Sequence, residues 1–488
     1  MTFRQGRAAA PLRRRTPIAS SATIPPLPPG ASPRRLAGSR VRVSATENDG
    51  PLTRDWFRLA MLALVVETIS KVASFIGPLA LFRPALALFL ISVLFALVNP
   101  SRAITPGLFR FAAPKWILFQ AVIACGSAVF GISLGHSALF IINVYSKTIV
   151  IALLLMASLR GVGDVRRLVW ATAFGGILLA FVSLFVVHIS KEQGAQGYDA
   201  NDVGLIVVTT LPLVLLVMQT SKRLGKVTAI VGAVLIAATI VQTASRGAFI
   251  GAAMVGLTLF FFVPGVSILK RAAAGVVIVA VMAQFAPSGY WQSIQNIISD
   301  PTADYNWDSV NGRRQIAKRG LGYIAQYPVF GLGIGNFEMA EGTISPYAQE
   351  VAGTDVGVKW SAPHNSWLQA AAETGPVGLL AWAALVVGSS VALLRLRRRM
   401  PKSWAKSGTP DERFLYLSTL YVPIAFLGFV VCGSFVSFAW SDQSYVLPAI
   451  ALGIQRAFEV KMGHSLPHAN GVSPAARRGS RLPQPTTA

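Results

Sequence analysis

Charge, acidic residues and cysteine are all scarce in this 488-residue chain. Only 13% of its residues are Asp, Glu, Lys or Arg, roughly half the frequency found in a soluble domain. With 53% hydrophobic residues, that shortage excludes a water-soluble enzyme and a disordered chain alike. The two cysteines, Cys125 and Cys432, both fall inside apolar stretches, which excludes a secreted disulfide scaffold. Also missing are a Walker-type lysine loop, a His-Glu-x-x-His pair, a Cys ligand pair and any Asp-x-Asp. Neither nucleotide hydrolysis nor a metal-dependent sugar-nucleotide site is signalled. The first 50 residues hold no apolar core, so a cleavable signal peptide of the usual form is not expected. Residues 1–54, rich in Arg, Pro, Ala and Ser, read as a disordered basic tail, although organellar transit peptides share that composition. Residues 461–488 read as a second disordered tail.

What the chain does have is long apolar runs. At about 20 residues per span, the material from Leu59 to Ala457 suffices for about twelve helices. They are expected near 59–77, 79–99, 116–134, 138–158, 167–188, 203–220, 226–244, 247–265, 271–287, 365–393, 413–436 and 444–459. The fold class is therefore all-α: a polytopic integral membrane helix bundle over residues 55–460.

Forty-four basic against 20 acidic residues give a net charge of +24, which in a soluble protein would suggest nucleic acid. Here much of the excess sits in tails and short loops. Residues 1–58 hold eleven Arg and no Lys, and 395–413 hold seven cations. Such segments face anionic lipid heads on the cytoplasmic side, so the implied partner is membrane lipid rather than nucleic acid. Placing the N-terminus inside gathers Arg102, Arg110 and Lys115, Arg160, Arg166 and Arg167, Lys222, Arg223 and Lys226, and Lys270 and Arg271 in cytoplasmic connections. A multi-pass inner (plasma) membrane protein with both termini cytoplasmic is expected.

One connection breaks the pattern. Residues 288–363 form a single long extracytoplasmic loop, and loops that long are uncommon without a function. It carries acids, among them Asp300, Asp304 and Asp308, whose spacing suits a solvated acidic face. From Asn311 to Gln326, Ile316, Tyr323 and Ile324 share a helical face, which predicts a helix lying against the membrane surface.

Several residues could carry chemistry. Arg246, in Thr243-Ala244-Ser245-Arg246-Gly247, is a cation on the outer side against the topological bias, which suggests a bound anion such as phosphate; the bland alternative is an arginine snorkelling at a helix end. Gly247 and Gly251 follow at the spacing of close helix packing. His364 stands between Pro363 and the tenth span, at a helix first turn, where the dipole disfavours its protonated form. A neutral imidazole there suits a general base, and a capping role is the alternative. Glu373 lies on another helical face and is expected to pack or hydrogen-bond. Lys147, inside the fourth span, is a functional candidate by its place in the membrane. Glu67 and Lys71, four apart, are expected to pair. Gly331-Leu332-Gly333-Ile334-Gly335 has a phosphate-loop look but follows no predicted strand.

Five segments, in order, resemble the O-antigen ligase and O-antigen polymerase superfamily of bacterial membrane glycan ligases and polymerases. They are Gly197-Tyr198-Asp199-Ala200-Asn201-Asp202-Val203-Gly204, Ser245-Arg246-Gly247, Asn311-Gly312-Arg313, Tyr327 to Phe337, and His364-Asn365-Ser366-Trp367-Leu368 through Glu373-Thr374-Gly375 to Gly378-Leu379. The resemblance covers roughly residues 140–390. It implies a metal-independent, cofactor-free transfer from a polyprenyl-diphosphate-linked glycan donor to a lipid-core, glycan or protein acceptor at the extracytoplasmic face. It implies His364 as the base, and Arg246 with Arg313 as ligands of the diphosphate. Arg314 beside Arg313 competes for that role, and Lys147 resembles a basic residue some members carry. Ligase and chain polymerase both remain open, and a polytopic transporter or lipid-linked glycan flippase is the rival from another class.

Overall fold

The structure, a computed structural model, describes residues 55–188, 198–299, 312–355 and 357–463. It is an all-helical bundle in which every apolar run forms a helix. In chain order these are α1 (Trp56–Ser70), α2 (Pro78–Val98), α3 (Ala112–Phe130), α4 (Leu134–Ser158), α5 (Val162–Phe185), α6 (Ala200–Thr220), α7 (Arg223–Gln242), α8 (Arg246–Phe262) and α9 (Ile268–Phe285). The long connection contributes α10 (Tyr290–Ser299), α11 (Arg313–Gln326), α12 (Phe337–Thr343) and α13 (Pro346–Glu350). Three further helices, α14 (Ser366–Arg399), α15 (Pro410–Gly433) and α16 (Gln443–Lys461), complete the bundle. The tails at 1–54 and 464–488, and Asp300, Asp304, Asp308 and Asn311, lie outside the described residues.

Nine of the described helices are long and apolar enough to cross a membrane, rather than the expected twelve. The three that fall short do so for visible reasons. α1 stops after 15 residues because Lys71 turns the backbone left-handed at φ 46°. α8 starts only at Arg246 and has 17 residues. α16 is diluted by Gln443, Ser444, Gln455, Arg456 and Glu459. Lys71, Arg246 and the Asp442 that precedes α16 thus interrupt the apolar pattern where those helices end or begin.

Helices α6 and α15 occupy the centre and pack on each other. Every residue of α9 stays at least partly exposed, and α2 is almost as open, so both present apolar side chains outward. That is the distribution expected when lipid, not water, covers the outside. Gly247 and Gly251 bring α8 against α15: a Cβ on Gly247 would lie 2.7 Å from the Cβ of Phe435, and Gly251 faces Cys432. The small-residue spacing serves close packing here.

α14 breaks at Gly375, whose φ is 71°. Pro376 follows, and its ring and missing N–H forbid a regular turn. The break frees the carbonyls of Ala372 and Glu373 inside the bundle, where no water can satisfy them. The glycine-rich loop does so instead. Leu332 N–H donates to Ala372 O at 2.8 Å and Gly333 N–H to Glu373 O at 3.1 Å. Gly331, at φ 71°, must be glycine, since a Cβ would sit 2.5 Å from Ala372 O. This loop is a packing device for a broken helix.

The helix expected from Asn311 to Gln326 forms as α11, but its apolar face meets protein. Ile316 and Tyr323 join Leu332, Phe337, Ala340, Leu368 and Ala372 in a small second core. Leu368 fills the space over Gly320, so α11 rests on the first turns of α14.

Candidate functional site

A short segment between α15 and α16 holds the start of α14, where His364 stands. Residues 436–440 run along the start of α14 and bond to it repeatedly. His364 N–H donates to Ser437 Oγ at 2.9 Å. Ser366 Oγ donates to Val436 O at 2.7 Å and accepts from Phe438 N–H at 2.9 Å. Gln369 Oε1 accepts from Ala439 N–H at 3.1 Å, and Glu373 Oε2 from Trp440 Nε1–H at 2.6 Å. Ser366, Gln369 and Glu373 are three and four residues apart, one face of a helix. Glu373 also accepts from Gly335 N–H at 2.9 Å, so it ties the glycine loop to the strap and stays away from His364.

The same strap touches Arg246's helix two residues earlier, through the packing of Phe435 on Gly247. Ser437 and Phe435 therefore connect the base candidate to the anion-binding candidate. Arg246 is half-buried, and its Nε donates to Ser293 Oγ of α10 at 3.2 Å. Ser245 caps α8 and donates from its Oγ to Asn201 Oδ1 at 2.7 Å, which seats the start of α6 beside it. Asp199 and Asp202 close that start with reciprocal hydrogen bonds of 2.8 and 3.0 Å, a capping box.

His364 is half-buried just before the Asn365 cap, whose Oδ1 accepts from Trp367 and Leu368 N–H. Burial holds the imidazole pKa below its ordinary 6.5, and the charges of Arg313 and Lys359 lower it further while Asp199 opposes them. The imidazole is thus neutral at neutral pH, and both Arg313 and Asp199 are near enough to act on it. Arg313 is half-buried and Arg314 exposed. Among the described residues neither Arg246 nor Arg313 forms an ion pair. Both guanidiniums keep donors for a further anion.

Lys147 is half-buried and follows a π-helical turn at Ile141–Tyr145. Its neighbour Thr148 donates to Asp442 Oδ1 at 2.8 Å. The cation that does stand near the α6 cap is Lys71. Its ammonium lies 3.6 Å from the centroid of the Tyr198 ring, within the electrostatic reach of Asp202 and Asp442. Glu67 uses Oε1 to accept from Ala73 N–H.

Three residues here hold a left-handed backbone without being glycine: Lys71 at φ 46°, Ala244 at 48° and His364 at 47°. Such conformations are strained, and strain of this kind collects at functional sites. The sequence did not mark Phe435, Ser437 or Asp442 as site residues. Their one signal is three serines and an aspartate, Ser434, Ser437, Ser441 and Asp442, in a stretch too long for a turn between spans.

Residues 231–383 match the family model Wzy_C, described as O-Antigen ligase. No curated protein matches the chain. The matched stretch runs from α7 into α14, past its break, and contains Arg246, Arg313 and His364; Asp199 and Ser437 fall outside it.

Proposed function

The chain carries an O-antigen ligase domain, and from that premise we propose that it transfers a glycan from a polyprenyl diphosphate onto an acceptor hydroxyl at the extracytoplasmic face. His364 takes the hydroxyl proton. The hydroxyl oxygen then bonds to the anomeric carbon as the carbon–oxygen bond to the diphosphate breaks. Arg246 and Arg313 hold the departing diphosphate, whose charge grows as that bond lengthens. The polyprenyl tail stays in lipid, which suits a site at the ends of spans. Neither metal nor cofactor takes part, and Lys147 is a further candidate for the clamp.

The observation that carries this reading is electrostatic. A half-buried imidazole, kept neutral, lies within the electrostatic reach of a half-buried arginine that no carboxylate pairs with among the described residues. A transporter would place its ionisable groups near mid-membrane in both halves; here Arg246, Arg313 and His364 each stand at the start of a helix.

The test is a reconstitution in detergent with purified protein, lipid-linked donor and candidate acceptors. Release of polyprenyl diphosphate in step with glycan transfer, unchanged by EDTA, is the expected result. A strict requirement for a metal or a nucleotide sugar overturns it. The acceptor is read from a deletion strain: full-length lipid-linked chains accumulate if the protein is a ligase, and chains shorten to one repeat if it is a polymerase.

A further inference from the structure

The long connection carries a second site on the flank of α11. A cavity of about 500 Å³ opens there, lined by Lys318, Gln326, Tyr327 and Gln349 and backed by Tyr323 and Arg319. That volume lies within the usual range for ligand pockets, about 300–1,000 Å³. Its back wall is fixed. Glu341, buried, accepts from Arg319 Nε at 2.9 Å and from Tyr323 Oη at 2.9 Å, which holds both side chains in one geometry. The rim is different in kind: Lys318, Gln326 and Gln349 are exposed and Tyr327 is half-exposed. Among the described residues no carboxylate belongs to the lining.

We propose that this cavity is a saccharide subsite, a proposal that rests on the glycan-transfer reading above. The chemistry on its walls is what a sugar uses. Two primary amides each offer donors and an acceptor for hydroxyls, Tyr327 offers an apolar ring face with a polar tip, and Lys318 adds a cationic donor. The position fits as well. Arg313 heads the same helix, and at 1.5 Å per residue the cavity runs from roughly 8 to 20 Å along α11 from it. A glycan whose diphosphate end is held by Arg313 reaches this groove with sugars beyond the reacting one; an acceptor glycan would enter from the open side.

Photo-crosslinking in living cells tests this without choosing a ligand in advance. Benzoylphenylalanine replaces Lys318 or Gln349 in the full chain, in a strain making its own lipid-linked glycan, with replacement of exposed Leu321 outside the lining as control. The background is His364→Ala, so that binding is read without turnover and failure of this site stays distinguishable from failure of the transfer reading. A saccharide-bearing adduct at 318 and 349, absent at 321, is expected. An adduct that carries polyprenyl diphosphate names the donor as occupant, and one without it names the acceptor. Adding Tyr327→Ala should lower adduct yield about fivefold to tenfold at equal protein level, the size of losing one aromatic contact. Adducts without sugar, or equal yield at 321, overturn the proposal.

Discussion

Two sets of charged and titratable residues on this bundle are built to opposite rules. One joins Arg58, Asp55, Arg160, Asp164 and Arg167 where α1, α4 and α5 meet. Arg58 is buried, bonds Asp55, lies 3.4 Å from Asp164, and donates to Ser158 O at 2.9 and 3.1 Å. Asp164 in turn takes Arg160 at 3.0 Å and Arg167 at 3.2 Å. Every member has a partner. The other set is the proposed site: Arg246, Arg313 and His364 are half-buried, the two arginines lack carboxylate partners among the described residues, and the backbone is left-handed at Ala244 and His364. A closed network stabilises a fold, because a buried charge without its partner is costly. An open one leaves its desolvation unrepaid until a ligand arrives, which is what a binding site requires.

The largest effect that would break this comparison lies in the open cluster. His364→Ala should lose about 10²–10⁴-fold in transfer, the usual contribution of a positioned base, with membrane abundance and thermal midpoint unchanged. Immunoblot, melting curve and in vitro transfer together check it, and near-full activity would remove His364 from the base role. In the closed cluster the effect moves to stability. Asp164 keeps Arg160 and Arg167 when Arg58 is removed, so Arg58→Ala should cost about 1–3 kcal/mol, chiefly by leaving the buried Ser158 carbonyl without its donors, read as a lower melting temperature in detergent. Transfer per folded molecule should stay as it was; a selective loss of turnover would show that the two clusters are not separate in kind.

Much of the fold was legible in the sequence, and the reasons for what was not are physical. Helix positions follow from apolar runs, so a helix stands at each of the twelve expected places, nine of them long and apolar enough to cross a membrane among the described residues, and Ile316, Tyr323 and Ile324 point to α11. Periodicity reports which face is apolar, not what covers it, so α11 was expected against lipid and instead packs on Leu368. The strap is a harder case. Ser437 meets His364 across 73 positions of chain, and no local pattern encodes such a pairing. Glu373 shows the middle ground: its distance in helical turns excluded it from His364, but its partners, Trp440 and Gly335, come from two other segments.

A smaller effect sharpens the open cluster's chemistry. Arg246→Lys keeps the charge and loses the planar fork that grips two phosphate oxygens at once. Transfer should fall roughly tenfold, about 1.4 kcal/mol in the transition state, chiefly through donor binding. Equal activity of the lysine variant would mean that Arg246 acts as a point charge, or as an interfacial anchor only.

The smallest effect separates Arg313 from its neighbour Arg314. The acid limb of kcat/KM against pH reports the base in the free enzyme. Because burial, then Arg313, hold His364 below 6.5, activity should persist as pH falls through 6.5 and decline only beneath it. Replacing Arg313 by Gln removes a positive charge that opposes imidazolium formation, so the pKa rises and the limb moves to higher pH. Arg314 is exposed, where water and salt screen its charge; Arg314→Gln should leave the limb in place and the rate within about twofold. A limb at or above 6.5 in the unaltered protein, or a shift produced by Arg314→Gln alone, would transfer the role to Arg314 and undo the assignment of Arg313 beside the imidazole.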